Sequence, residues 1–406
     1  MKDRQIEKLI KREETRQKRA VNLIASENFV SDDVLRALGS VFTNKYAEGY
    51  PHARYYGGNE VVDELEELVK ARALKLYHLS PHAWSVNVQP LSGSPANLAV
   101  YHALVPIGEK IMGMALDMGG HLTHGHKVSV TGKLWKQVPY GVDKKTERLD
   151  YDALLKLAKR EKPALIVTGY TAYPRLIDFK KFRKIADACG AILMVDMSHF
   201  AGLVAGGAYP SPFKYADVVT ATTHKTLRGP RAALIFARKS QIPNPKSQIN
   251  SKFKIQNSKL SIASAIDKAV FPGLQGGPHM NTIAAVGVAL REAGKPEFKH
   301  YAKQVVKNAK ALAGALARLG WRVVSGGTDS HLILVDTMSG GVSGKIASEK
   351  LERAGIIVNK NAIPYDQRKP ADPSGIRLGT PAVTTRGMKE KDMKKLARRI
   401  DAILRT

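Results

Sequence analysis

Between Trp84 and Arg238 short apolar runs alternate with stretches of mixed polarity. The runs read AWSVNVQP, KIMGMAL, KQVPYG, ALIVTGY, AILMVDMS, DVVTATT and AALIFAR. They predict strands buried on both faces. Between them, segments such as Tyr151–Arg160 and Phe179–Ala188 carry the period of an amphipathic helix. This alternation predicts an α/β fold with a large, doubly wound, mostly parallel sheet. In such sheets functional groups gather in the crevice at the carboxyl ends of the strands. Asp196, His199 and Lys225 all fall at or just past such ends.

Residues 240–262, SQIPNPKSQINSKFKIQNSKLSI, break the pattern and read as a surface insertion. After FPGLQGGP a helical stretch runs to about Gly320. A smaller α/β unit follows, with strands WRVVSG and HLILVD, a helix at Gly344–Ala354, then GIRLGT and a closing helix. The expected organisation is a helical arm over 1–35, a large domain over 36–278 that includes the insertion, and a small domain over 279–406.

Composition changes this picture in one respect. With 406 residues and 44% hydrophobic content the chain has ample material for two cores. Its formal charge of +28 raises nucleic acid or an acidic surface as a partner. The charge is spread along the chain, however, which favours a solvated basic surface. Its one concentration is Arg238–Ile266, with six basic residues and no acidic one. The single cysteine, Cys189, excludes an internal disulfide and fits a reducing compartment. The N-terminus lacks the apolar core of a signal peptide, and no apolar run approaches the roughly 18 residues of a membrane span. A cytoplasmic protein is expected, with no membrane partner.

The candidate chemistry centres on VTATTHKTLRGPR, where an apolar strand ends in Lys225. A lone lysine is usually solvated. Its neighbours alter that reading. Asp196 ends AILMVD, and LSGSPANLAVYHAL offers a glycine turn with Ser94 as N-cap and Pro95 at the first helical position. A helix start of that kind suits a phosphate. Lysine, carboxylate and phosphate cradle on neighbouring strand ends fit pyridoxal 5'-phosphate. In GGHLTHGHK the spacing of His121, His124 and His126 matches no zinc pattern, so no metal is expected and His121 reads better as a ring stacked on the cofactor.

TNKYAEGYPHARYYGG, NVQPLSGSPAN, GGHLTHG, VDMSHFAGLVA, ATTHKTLRGPR, FPGLQGGP, VSGGTDSHL and SGIRLGTPA together resemble the serine hydroxymethyltransferase family. Its members are fold-type I pyridoxal-phosphate transferases with a seven-stranded sheet domain, an N-terminal arm and a smaller C-terminal domain. The likeness runs nearly end to end. It implies that Lys225 carries the cofactor, Asp196 pairs with its ring nitrogen, His121 stacks on the ring and His199 lies beside its phenolic oxygen. Gly93 and Ser94 resemble the phosphate-binding turn, with His224 just before the lysine and Arg231 close by. Tyr46, Gly276 and Gly277 match residues that members contribute from a neighbouring subunit, which implies a homodimer or higher homo-oligomer with shared sites.

Arg377 would hold the amino-acid carboxylate, helped by Ser26. Glu48 matches the acid–base glutamate, and Tyr55 and Tyr56 line the same pocket. Leu116, Gly120, Leu122 and Asn361, with Glu48, fall where the folate is bound. Thr171 stands where a serine commonly bonds the cofactor oxygen, and Leu91 where a histidine is common. The implied reaction moves the hydroxymethyl carbon of L-serine to tetrahydrofolate, giving glycine and 5,10-methylenetetrahydrofolate. A folate-independent aldolase would share the lysine, the aspartate and the fold, but KYAEGYP and the folate positions speak against it. A basic RNA-binding protein on a retired enzyme scaffold is opposed by the presence of every expected catalytic residue.

Overall fold

The structure is a computed structural model describing residues 1–240 and 261–406. All seven predicted strands form one sheet: β1 Trp84–Asn87, β2 Lys110–Met114, β3 Lys136–Tyr140, β4 Leu165–Gly169, β5 Ile192–Asp196, β6 Val218–Thr222 and β7 Ala233–Arg238. Their order is β1-β7-β6-β5-β4-β2-β3, and β7 alone runs opposite to the other six.

The period of two along each strand is visible in the packing. Leu165, Val167 and Met194 enter a core with Val100 and Leu104 of the helix Gly93–Leu104. Ile166, Leu193 and Val195 enter a core on the other face, with Phe182, Phe200, Ile283 and Phe298. Both faces of the central strands β4, β5 and β6 are therefore covered and every residue there is buried, whereas the edge strand β3, expected to be buried on both faces, exposes Lys136 and Pro139. The covering helices start where the sequence supplies a cap: Asp150 accepts from Asp152 and Ala153 N–H groups, and Asp178 from Lys181 N–H. One start differs from expectation. The helix after β1 begins at Gly93 with Ser92 as its N-cap, so Ser94 and Pro95 lie inside the first turn, which tolerates proline.

The small sheet comprises β8 Arg322–Val323, β9 Leu332–Asp336, β10 Asn359–Asn361 and β11 Gly375–Gly379, all antiparallel in the order β8-β9-β11-β10. The strand expected at WRVVSG shortens to two residues because the chain turns at Ser325, whose φ is 58°. Helix Pro296–Arg318 ties the two units together: Phe298 and Val305 enter the large core, Leu312 and Leu316 the small one. Helix Arg4–Arg19 buries none of its residues, and Val21–Asn22 then pairs with Ile356–Ile357 of the small unit. No described helix is long and apolar enough to cross a membrane. The insertion expected at 240–262 lies, from 241 to 260, outside the described residues. Ser240 O accepts from Ile262 N–H at 3.1 Å, so the chain leaves and re-enters at one place.

Candidate active site

Adjacent strands β5 and β6 bring Asp196 and Lys225 together. Asp196 is the last residue of β5 and pairs in register with Thr220 of β6; Lys225 stands three residues beyond β6. The lysine loop is fixed at both ends. Asn28 donates to Lys225 O at 3.0 Å, and Thr226 Oγ1 donates to His199 O at 3.0 Å. Burial lowers Lys225 to about 8, with Asp196 opposing the shift and Arg377 and Arg231 adding to it.

Asp196 is buried, and burial alone would raise its pKa. The donors around it outweigh burial and hold it well below the usual carboxylate range. His124 Nε2 lies 3.2 Å from Oδ2, Asn97 Nδ2 donates to the same oxygen at 2.8 Å, and Ser198 N–H donates to Oδ1 at 3.0 Å. Asn97 is oriented in turn by Thr220 Oγ1, which donates to its Oδ1 at 2.8 Å. Such a carboxylate stays ionised through the working range of any enzyme near neutral pH.

Four imidazoles surround this pair in uncharged form. Burial lowers His121 to about 4, His224 to about 3 and His331 to about 3, and holds His199 well below its ordinary value. His199 and His331 stack with ring centroids 5.4 Å apart and share a hydrogen bond of 3.2 Å between Nδ1 and Nε2. His121 is tied to the same crevice through Thr123 Oγ1, which lies 2.7 Å from its Nδ1 and accepts from Asn97 Nδ2 at 2.9 Å.

Arg377 is buried on β11 and reaches across from the small unit. Its Nε donates to Asn359 Oδ1 at 3.0 Å and its Nη1 to Thr171 O at 2.7 Å. No other bond to this guanidinium is made among the described residues, which leaves Nη2 to suit a carboxylate. Thr171 in turn donates its N–H to Gly119 O, bringing the Leu116–His124 segment alongside. Leu116 and Leu122 are exposed on that segment, Gly120 is buried, and Asn361 lies on β10 paired with Gly375. Ser26, His224 and Arg231 line a neighbouring groove of about 370 Å³.

A second group of expected residues lies apart. Glu48 Oε1 rests against Gly276 and the Tyr46 ring against Gly277. The Tyr46 and Tyr56 rings meet edge-on at 5.1 Å, and Tyr55 meets Phe271 at 5.7 Å. Tyr46, Tyr55 and Tyr56 are 57%, 74% and 50% exposed. Nothing in the hydrogen bonds or charge couplings of the described residues links these six to Lys225 within one chain.

The crevice around Lys225 fits pyridoxal phosphate on its own geometry. Helix Gly93–Leu104 starts with no side-chain cap, so the N–H groups of Gly93 and Ser94 face outward. A Cβ on Gly93 would stand 2.7 Å from Thr222 Cγ2, so glycine lets this helix start pack closely against the end of β6. Thr171 Oγ1 and His224 Nδ1 are buried with no hydrogen-bond partner among the described residues, and such atoms call for one.

Several contributors were not singled out by sequence: Asn97, Ser198, Asn359 and His331, and His124 as a partner of Asp196. Asn97 had a readable signal, a polar residue on the apolar helix face between Ala96 and Val100. The others depend on contacts distant in sequence.

A buried lysine beside a fixed carboxylate, an uncapped helix start and a buried arginine, gathered at the strand ends of an open α/β sheet, suit the class of pyridoxal-phosphate enzymes. Comparison with known proteins narrows the class. A sequence model of the serine hydroxymethyltransferase family matches residues 1–400. The chain is 55% identical over 394 residues to serine hydroxymethyltransferase of Koribacter versatilis, covering 97% of this chain and 87% of that one. It is 53% identical over 401 residues to the enzyme of that name in Sorangium cellulosum, covering 99% and 89%. Against the Coprothermobacter proteolyticus protein of the same name it is 54% identical over 404 residues, covering 100% and 91%. The chain belongs to the serine hydroxymethyltransferase family.

Proposed function

We infer that the protein transfers the hydroxymethyl carbon of L-serine to tetrahydrofolate, giving glycine and 5,10-methylenetetrahydrofolate, with pyridoxal phosphate bound at Lys225. The observation that carries this reading is the pairing of a lysine lowered to about 8 with a buried, permanently ionised Asp196 at adjacent strand ends. The bound cofactor supplies an electron sink for the charge left when a bond at the amino acid's Cα breaks. Asp196, as an anion, would hold a proton on the ring nitrogen. His121 would pack against the ring, and Thr171 and His199 would bond its oxygen. The Gly93 and Ser94 N–H groups would hold the phosphate. Arg377 holds the substrate carboxylate through its terminal nitrogens, with Ser26 beside it. Glu48 moves protons between the serine hydroxyl and the folate; Leu116, Gly120, Leu122 and Asn361 bound the folate side.

The separation of Glu48, Tyr46, Tyr55, Tyr56, Gly276 and Gly277 from Lys225 supports a homodimer in which each chain completes the other's site. The exposure of three tyrosines on one patch suits such an interface. Within the chain we keep the expected division into arm, large domain and small domain, and we place the protein in the cytoplasm, in keeping with its single cysteine.

The test is serine cleavage with and without tetrahydrofolate. Glycine should form faster by orders of magnitude with the folate present. A protein that cleaves β-hydroxy amino acids with no folate response would instead be an aldolase.

A pH dependence follows from Lys225. Only the neutral amine attacks a carbonyl, so cofactor uptake by the cofactor-free protein should rise about tenfold per pH unit and level off above the lysine's pKa of about 8. In the same window the unfolded lysine still holds its proton, so the cofactor-free fold gains stability as pH rises above about 8. Stopped-flow absorbance checks the uptake, and an inflection near 10 would contradict the assignment.

A further inference from the structure

Glu48 sits in a tight hairpin whose strands are Gly49–Tyr50 and Ala53–Arg54. Gly49 has φ 96°, and a Cβ there would lie 2.3 Å from Ala53 O, so the hairpin closes only on glycine. The side chain of Arg54 folds back beneath this turn and is 4% exposed. Its Nη1 donates to Ala47 O and to Gly49 O, each at 2.9 Å. Those two carbonyls flank Glu48. Its Nε donates to Asp63 Oδ1 at 2.8 Å and its Nη2 to Glu66 Oε2 at 2.7 Å. Both carboxylates belong to the helix Glu60–Leu76. Gln89 Nε2 completes the frame, donating to Gly49 O at 3.0 Å and to Glu66 Oε1 at 3.1 Å.

We propose that Arg54 is a positioning residue for Glu48, clamping the backbone on either side of it to a rigid helix so that its carboxylate projects to a fixed point. The proposal rests on the acid–base reading of Glu48 given above. The geometry calls for a guanidinium. Four bonds leave Arg54 in three directions, and the planar fork spans two carboxylates and two carbonyls at once. An ammonium at the same place keeps the charge beside Asp63 and Glu66 but has three donors at a single point and cannot meet two carboxylates and two carbonyls at once. Around the turn, Tyr55 N–H donates to Glu48 O at 3.0 Å and Asn59 Nδ2 to Tyr56 O at 2.9 Å. A carboxylate so anchored stays in place although it is only half-buried in the single chain. Released from Ala47 and Gly49, it would wander by an ångström or more, enough to cost proton transfer about 10- to 100-fold.

A purely structural role for Arg54, as counter-charge to Glu66, would give different results. Burial raises the Glu66 carboxyl, and Arg54 and Gln89 oppose that rise. Glu66→Gln removes this carboxylate's charge while leaving Arg54 on both carbonyls. The experiment compares Arg54→Lys, Glu66→Gln, Glu48→Gln and the double variant Arg54→Lys/Glu48→Gln, each as the full cofactor-loaded enzyme. Unfolding midpoint, cofactor absorbance, folate-dependent serine cleavage and folate-independent cleavage of allo-threonine are measured for each.

Arg54→Lys should keep the cofactor absorbance and the serine KM, and lose folate-dependent kcat about 10- to 100-fold. It should lose much less of the allo-threonine reaction. Glu66→Gln, even with a comparable fall in midpoint, should lose folate-dependent kcat by less than about threefold. The double variant should be no worse than Glu48→Gln alone, because Arg54 acts only through Glu48. The proposal is overturned if Arg54→Lys keeps wild-type folate-dependent turnover. It is also overturned if Glu66→Gln matches the Arg54→Lys loss, or if the losses of Arg54→Lys and Glu48→Gln multiply. A Glu48→Gln variant that loses both reactions equally would withdraw the Glu48 reading itself, a result distinguishable from the others by that single variant.

Discussion

Lys225→Ala should bind pyridoxal phosphate yet turn over serine slower by roughly three orders of magnitude or more, the scale on which a covalent catalytic group is missed. The binding should survive because most of the cradle is elsewhere. The open N–H groups of Gly93 and Ser94, the ionised Asp196 and the neutral His121 all remain. What disappears is an amine whose burial keeps a useful fraction neutral at physiological pH. Borohydride reduction of the wild type followed by peptide mapping should place the cofactor on Lys225. Finding it on another lysine would end the assignment.

Glu48→Gln should separate two reactions. The substitution keeps the shape of the carboxylate and removes its capacity to exchange a proton. Folate-dependent serine cleavage should fall by at least about 10²-fold, as for the loss of a general acid–base group. Cofactor absorbance and glycine binding should persist, since Lys225, Asp196 and Arg377 are untouched and lie in the other group of residues. Cleavage of allo-threonine without folate should fall much less, because its β-carbon leaves as an aldehyde that needs no acceptor. Measured under equal cofactor saturation, equal losses in the two reactions would remove Glu48 from folate transfer.

Much of this arrangement was legible before any coordinates. The central runs were the clearest because strands buried on both faces have no surface demand to obscure the pattern, while the edge strand β3 mixes exposed Lys136 and Pro139 with buried Val138 and Tyr140. Asp196 and Lys225 could be paired from sequence because strand ends in a doubly wound sheet converge on one crevice. The boundary at Ser92 was misjudged by two residues, since serines at 92 and 94 both look like caps and only backbone geometry separates them. The contacts that tune the site were not legible. His331 meets His199 across 132 positions, and Arg377 reaches Thr171 across 206. No local periodicity encodes pairings of that range. The split of the catalytic residues into two groups was also hidden, because Tyr46 to Tyr56 and Gly276–Gly277 are close to each other only in the folded chain.

That split makes the most direct measurement possible. If Glu48 of one chain serves Lys225 of its partner, two inactive variants contain all the parts of a working site between them. Lys225→Ala and Glu48→Gln chains, dissociated, mixed in equal amounts and reassembled, would form mixed dimers in half of all pairings. One of the two sites in each mixed dimer would have both residues intact. Folate-dependent serine cleavage should therefore return to about a quarter of the wild-type specific activity, from near zero in either parent. Failure of the reassembled mixture to rise above the mean of its parents, with mixed dimers verified, would contradict a site shared between chains.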